Sequence, residues 1–96
     1  MLSAQNKKKL RSLAVELPSM IQIGKGNLSE TFFEGLDTEL EAHELVKVTL
    51  QKTSTLTVRE AAIECASQTG SEVIQTIGRT FVLYRQSREN KLGISK

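Results

Sequence analysis

Met20-Ile21-Gln22-Ile23-Gly24-Lys25-Gly26-Asn27-Leu28-Ser29-Glu30 is the stretch whose reading decides the fold. A short apolar run ends abruptly at two glycines, a lysine and an asparagine, and a helical pattern begins at once. Met20–Ile23 reads as a strand. Asn27-Leu28-Ser29-Glu30 resembles a capping box opening a helix, with Ser29 as the alternative cap. A strand running through a glycine turn into a helix is the first half of a crossover unit, so a sheet with helices packed on it is expected.

Downstream, Leu28, Phe32, Leu36 and Leu40 recur at intervals of four with Phe33 beside them, while Glu30, Glu34, Asp37, Glu39 and Glu41 occupy the other positions. This predicts a surface helix with an acidic outer face, reaching about Ala42. Glu44–Gln51 alternates: Val46, Val48 and Leu50 point one way, Leu45, Lys47 and Thr49 the other, as in a strand. Thr57-Val58-Arg59-Glu60 is a clearer capping box. It opens a third helix with Val58, Ala61, Ala62, Cys65 and Ala66 on one face and Gly70 as its stop. Glu72–Ile77 and Thr80–Arg85 read as strands joined by Gly78-Arg79, a two-residue turn suited to a tight hairpin.

Upstream, Ser3 caps a first helix with Leu10, Leu13, Ala14 and Leu17 at helical spacing. Pro18 disfavours helical geometry at Leu17, so this helix is expected to end near Glu16. The fold class is therefore α/β: a small mixed four-stranded sheet packed with three helices, in the order α-β-α-β-α-β-β. Residues 1–96 form one domain with a polar C-terminal tail from about residue 86.

The chain has 96 residues and is 39% hydrophobic, enough to bury roughly 60–65% of its unfolded surface in one core. No run of 18 apolar residues suggests a membrane span. MLSAQNKKKLRSL lacks the apolar centre of a secretory signal. A lone cysteine fits a reducing compartment. The expectation is a cytoplasmic monomer with no membrane partner.

The net charge of +2 conceals an uneven distribution. Residues 1–29 carry five cations against one acid, residues 30–64 three cations against eight acids, and residues 65–96 five cations against two acids. Basic ends that converge would form the footprint of a polyanion partner; ends that do not converge are solvated helix faces.

Catalysis has little support. The only histidine, His43, stands at the end of the acidic helix, where the helix dipole favours a cation. Cys65 lies on the apolar stripe of the third helix and reads as a small buried hydrophobe. One cysteine and one histidine far apart in sequence do not make a zinc site. No metal, cofactor or catalytic residue is expected. The glycine loop offers more. Gly24 and Gly26 let the backbone approach a partner closely, the following helix offers unpaired amides, and Lys25 adds a charge. The pattern is shorter than a Walker loop or a dinucleotide fingerprint, and nearer to the GxxG clamp of KH domains. By itself it reads as a phosphate clamp or as a strand-to-helix turn. With three phenylalanines and one tyrosine, the chain has too few aromatics for a sheet of stacked bases.

Four segments together carry a resemblance. They are Leu10-Arg11-Ser12-Leu13-Ala14; Ile23-Gly24-Lys25-Gly26 with the helix from Leu28; His43-Glu44-Leu45-Val46-Lys47-Val48; and Ile77-Gly78-Arg79-Thr80-Phe81-Val82-Leu83-Tyr84-Arg85. In order and spacing they resemble the bacterial YhbY family, the stand-alone form of the CRM RNA-binding domain. The resemblance implies a fold similar to the C-terminal domain of a bacterial translation initiation factor. It implies a protein that binds ribosomal RNA, associates with precursors of the large ribosomal subunit and assists ribosome assembly; plant relatives support intron splicing. The family's GxxG loop falls on Gly24, Lys25, Gly26 and Asn27, with Asn27 where glycine is usual. Lys7, Lys8 and Arg11 of the first helix, the loop, and Arg79 and Arg85 of the hairpin would share an RNA-binding surface. The alternative reading is a protein-interaction adaptor whose acidic helix binds a basic ribosomal protein.

Overall fold

The computed structural model of the chain describes residues 4–24, 28–52 and 56–87. The elements are α1 (Ala4–Ala14), β1 (Ile21–Ile23), α2 (Glu30–His43), β2 (Leu45–Leu50), α3 (Val58–Thr69), β3 (Glu72–Ile77) and β4 (Thr80–Tyr84). This is the expected order. The four strands form one sheet in the order β1-β2-β4-β3. β1 and β2 are parallel, joined through α2, with Ile21 opposite Val48 and Ile23 opposite Leu50. β2 is antiparallel to β4, and β4 to β3.

The period-two alternation of the strands sorts side chains into two cores. On one face Ile23, Val46, Val48, Leu50, Phe81 and Leu83 meet Leu36 and Leu40 of α2 and Ala61, Ala62 and Cys65 of α3. On the other face Leu45, Ile74, Val82 and Tyr84 meet Leu10 and Ala14 of α1. The described residues thus form three layers, with α1 the one described helix on its side of the sheet. A bulge in β3 lets Val73 pair with Leu83 and Gln75 with Val82. Ile74 is the extra residue, and it joins the α1 core while Val73 packs on the opposite face.

The helix ends follow local chemistry. Ser29, not Asn27, caps α2: its hydroxyl accepts from the Phe32 amide at 3.1 Å. Asn27 itself, like Ser3, lies outside the described residues. Thr57 and Glu60 complete the expected capping box of α3, at 3.1 and 3.0 Å. Gly70 ends α3 in the left-handed conformation at φ +67°. α1 stops at Ala14, two residues short of the expected Glu16. The Leu17 amide bonds the Ala14 carbonyl at 3.1 Å, closing the end in a tighter turn before Pro18.

Candidate nucleic-acid interface

One end of the sheet gathers three of the sequence elements that the resemblance singled out. β1 ends at Ile23, whose carbonyl accepts from the Gln51 amide at 2.9 Å, so the glycine loop starts beside the end of β2. The Gln51 side chain bonds the Gln22 side chain at 2.7 Å. The hairpin closes against the same point. Arg79 accepts from the Leu50 amide at 2.7 Å, and its guanidinium reaches the Gln51 carbonyl at 3.4 Å. Gly24 and the exposed Arg79 are therefore brought together around Gln51. A Cβ added at Gly24 would stand 2.9 Å from the Gln51 amide oxygen, so glycine here lets the loop leave the sheet without disturbing the Gln22–Gln51 pair. Lys25, Gly26 and Asn27 lie outside the described residues.

α1 carries Lys7, Lys8, Lys9 and Arg11 and no acid. Lys7 is half-buried; Lys8, Lys9 and Arg11 are exposed. α2 carries Glu30, Glu34, Asp37, Glu39 and Glu41 and no lysine or arginine. Because α1 packs on one face of the sheet and α2 on the other, the basic and acidic helices lie on opposite sides of the molecule.

Between α1 and the Gly24–Arg79 end, the sheet face is open among the described residues. A groove of about 490 Å³ runs there, lined by Val15, Ser19, Lys47, Thr49, Gln75, Ile77, Thr80 and Val82. Its floor is the rows of β2, β4 and β3 that continue beyond the apolar contacts of α1. Sequence reading missed this groove. Its hydroxyls belong to two strands and to the segment before β1, which become neighbours only in the fold.

Arg85 sits at the opposite end of β4. Its guanidinium forms an ion pair with Asp37, bonds the Asp37 carbonyl at 3.1 Å and bonds the Thr69 carbonyl at 2.9 Å. It ties α2 to the C-terminal end of α3, whose carbonyls lack helical partners. Here the structure departs from the expectation that both hairpin arginines share one surface.

Two further features were not anticipated. Glu44, read as the start of a strand, is fully buried at φ +66° and ends α2, its amide bonding the Leu40 carbonyl at 2.8 Å. Its carboxylate accepts from the Ser87 amide at 2.9 Å and from the Ser87 hydroxyl. The stretch expected as a polar tail from residue 86 thus holds a buried serine at Ser87, because a buried carboxylate requires donors. Tyr84 is raised above the ordinary tyrosine range by burial and then by the nearby Glu44 charge.

Leu13, expected on the apolar stripe of the first helix, is instead 41% exposed, because α1 turns only Leu10 and Ala14 fully into the core; the other expected core residues are buried or half-buried. Cys65 is fully buried, and burial, with a smaller contribution from Glu64, pushes its thiol up to about 12. His43 in the last turn of α2 lies 3.4 Å from Glu39 on an exposed surface. No described helix is long and apolar enough to cross a membrane.

Comparison with known proteins agrees with this architecture. The chain is 36% identical over 91 residues to "Probable RNA-binding protein YqeI" of Bacillus subtilis (strain 168), covering 95% of each chain. It is 30% identical over 95 residues to "RNA-binding protein" of Haemophilus influenzae, covering 99% of this chain and 96% of the relative. The solution structure of the hypothetical protein SAV1595 from Staphylococcus aureus matches with a TM-score of 0.80 at 39% identity, over 99% and 98% of the two chains. The sequence profile of the CRS1 / YhbY (CRM) domain matches residues 2–85, and the chain belongs to that family.

Proposed function

We propose that this protein is a non-enzymatic RNA-binding domain that associates with ribosomal RNA in precursors of the large ribosomal subunit and assists their assembly. The observation that carries the reading is the segregation of charge across the sheet: four cations and no acid on α1, five acids on α2 behind it. A polyanion can approach the α1 side without meeting the acidic helix. The relatives named as RNA-binding proteins support RNA as that polyanion. Membership of the CRM family and the resemblance to the YhbY type support ribosomal RNA as its source. Lys7, Lys8, Arg11 and Arg79, with the Gly24–Asn27 backbone, are assigned to phosphate contact. Such contacts position the RNA and carry little sequence information. Arg85 is left out of the assignment because its guanidinium is occupied by Asp37 and Thr69.

Filter binding to fragments of large-subunit ribosomal RNA tests this reading. For about three or four phosphate contacts, affinity is expected to fall roughly 20–150-fold between 50 and 200 mM salt. A protein that binds no naked ribosomal RNA at low salt, but retains a basic ribosomal protein through α2, would be the adaptor instead.

A further inference from the structure

We propose that Ser19, Thr49 and Thr80 form a hydroxyl ladder that reads the ribose 2′-hydroxyl of a bound strand and so makes the groove selective for RNA over DNA. The inference rests on the RNA-binding reading and deepens it. Thr49 and Thr80 are directly opposed on β2 and β4, their hydroxyls 3.2 Å apart. Ser19, on the segment between α1 and β1, extends the row with its hydroxyl 2.7 Å from that of Thr49. Three hydroxyls hold three protons, and the two links of the ladder use two. The Ser19 hydroxyl also lies 3.4 Å from the Ile21 carbonyl, which takes the third proton when the ladder is oriented towards Ser19. Thr80 then presents free lone pairs to the groove. With the order of protons reversed, Thr80 presents a donor. A 2′-hydroxyl is itself both donor and acceptor, so the ladder can partner it in either orientation; a deoxyribose offers neither.

The surroundings suit a sugar-phosphate strand. Among the described residues the groove lining holds Lys47 and no carboxylate, and Arg79 closes the adjoining end of the hairpin. Val15 and Ile77, 76% and 64% exposed, stand on the lining as apolar surfaces for the C–H face of a ribose. No aromatic side chain among the described residues lines the groove, so these residues give no platform on which to stack a base. At about 490 Å³ it is in the range of small-ligand sites, room for a nucleotide unit and not for a duplex.

The test is fluorescence anisotropy with an RNA hairpin and the DNA hairpin of the same sequence, on the wild type and on Thr49→Val/Thr80→Val. Valine keeps the shape and β-branching of threonine, and thermal melting checks that the variant folds. The wild type is expected to bind RNA about tenfold more tightly than DNA, the yield of one or two neutral hydrogen bonds. The variant is expected to bind DNA as the wild type does and RNA no more tightly than DNA. A preference for A-form shape would survive in the variant, so an unchanged RNA-to-DNA ratio overturns the ladder. Should the variant fail to fold, the wild type is compared on the RNA hairpin and its 2′-fluoro form, which keeps RNA-like geometry without the hydroxyl proton; equal affinity overturns the proposal. Equal binding of RNA and DNA by the wild type overturns the ladder alone. Binding of neither overturns the RNA reading as well.

Discussion

Arg79 and Arg85 flank the same strand, and the fold employs their identical side chains differently. Arg79 is exposed at the hairpin, held to Gln51 by one long hydrogen bond. Arg85 is half-buried and bonds two carbonyls and a carboxylate that belong to different helices. Hydrogen bonds from a charged donor contribute more than neutral ones, but Asp37 is largely exposed and solvent screens the pair. Arg85→Gln is therefore expected to lower stability by about 1–2 kcal/mol in urea denaturation and to leave RNA affinity near wild type. Arg79→Gln is expected to do the reverse, leaving the urea midpoint unchanged and weakening RNA binding severalfold. Cys65 makes a second residue-scale test. Its side chain fills the apolar interface of α3 and the sheet, where a hydroxyl is poorly solvated. Cys65→Ser is expected to cost about 1–3 kcal/mol with RNA binding intact in the folded protein. With the thiol pushed up to about 12, a native sample at neutral pH should resist thiol reagents; prompt modification would contradict its burial.

At the scale of elements, α3 shows how local chemistry sets a boundary. Thr57 and Glu60 satisfy each other's backbone amides, and these bonds from Thr57 hold the Glu60 carboxyl below its ordinary range. A carboxyl whose folded value is depressed adds stability that is fully present above its unfolded value. That stability is lost as pH falls through the depressed folded value. Thr57→Ala is expected to lower stability by about 0.5–2 kcal/mol at neutral pH, measured by thermal melting. The difference between variant and wild type should narrow in acid as Glu60 protonates. This capping box was readable in the sequence because its partners stand three residues apart. For the same reason the Gly78-Arg79 hairpin, the Gly70 stop and the two-faced alternation of β2 were readable. Arg85 was not, because Asp37 and Thr69 come to it from two other elements. Glu44 was misread because its burial depends on Ser87, 43 positions away, and on a left-handed backbone that no glycine announced. The groove was invisible for a related reason: strand order and the pairing of β2 with β4 decide which hydroxyls become neighbours.

At the scale of the whole molecule, the sheet works as a partition between charges. The molecule's smallest extent is 22 Å, and α1 and α2 occupy opposite sides of the sheet. Charges interact over about 8 Å at physiological salt, so a polyanion lying on the α1 side is screened from the exposed acids of α2. The two layers can be tested separately. Replacing Lys7, Lys8 and Arg11 with glutamine removes up to three phosphate contacts. The slope of log affinity against log salt is expected to flatten by about two, with a similar loss on unrelated RNAs. Replacing Glu34 and Glu41 with glutamine changes the net charge in the favourable direction by two. It is nonetheless expected to raise RNA affinity less than about threefold at physiological salt and to leave the slope unaltered. Glu30 is kept in that variant because it lies in the first turn of α2, where it favours the helix dipole and borders the glycine loop. If net charge alone governed binding, the two variants would move affinity by comparable amounts in opposite directions. If the layers are separate, only the α1 variant moves it strongly. A large gain from Glu34→Gln/Glu41→Gln would mean that the RNA wraps onto the acidic side, and the division of the surface proposed for this domain would fail.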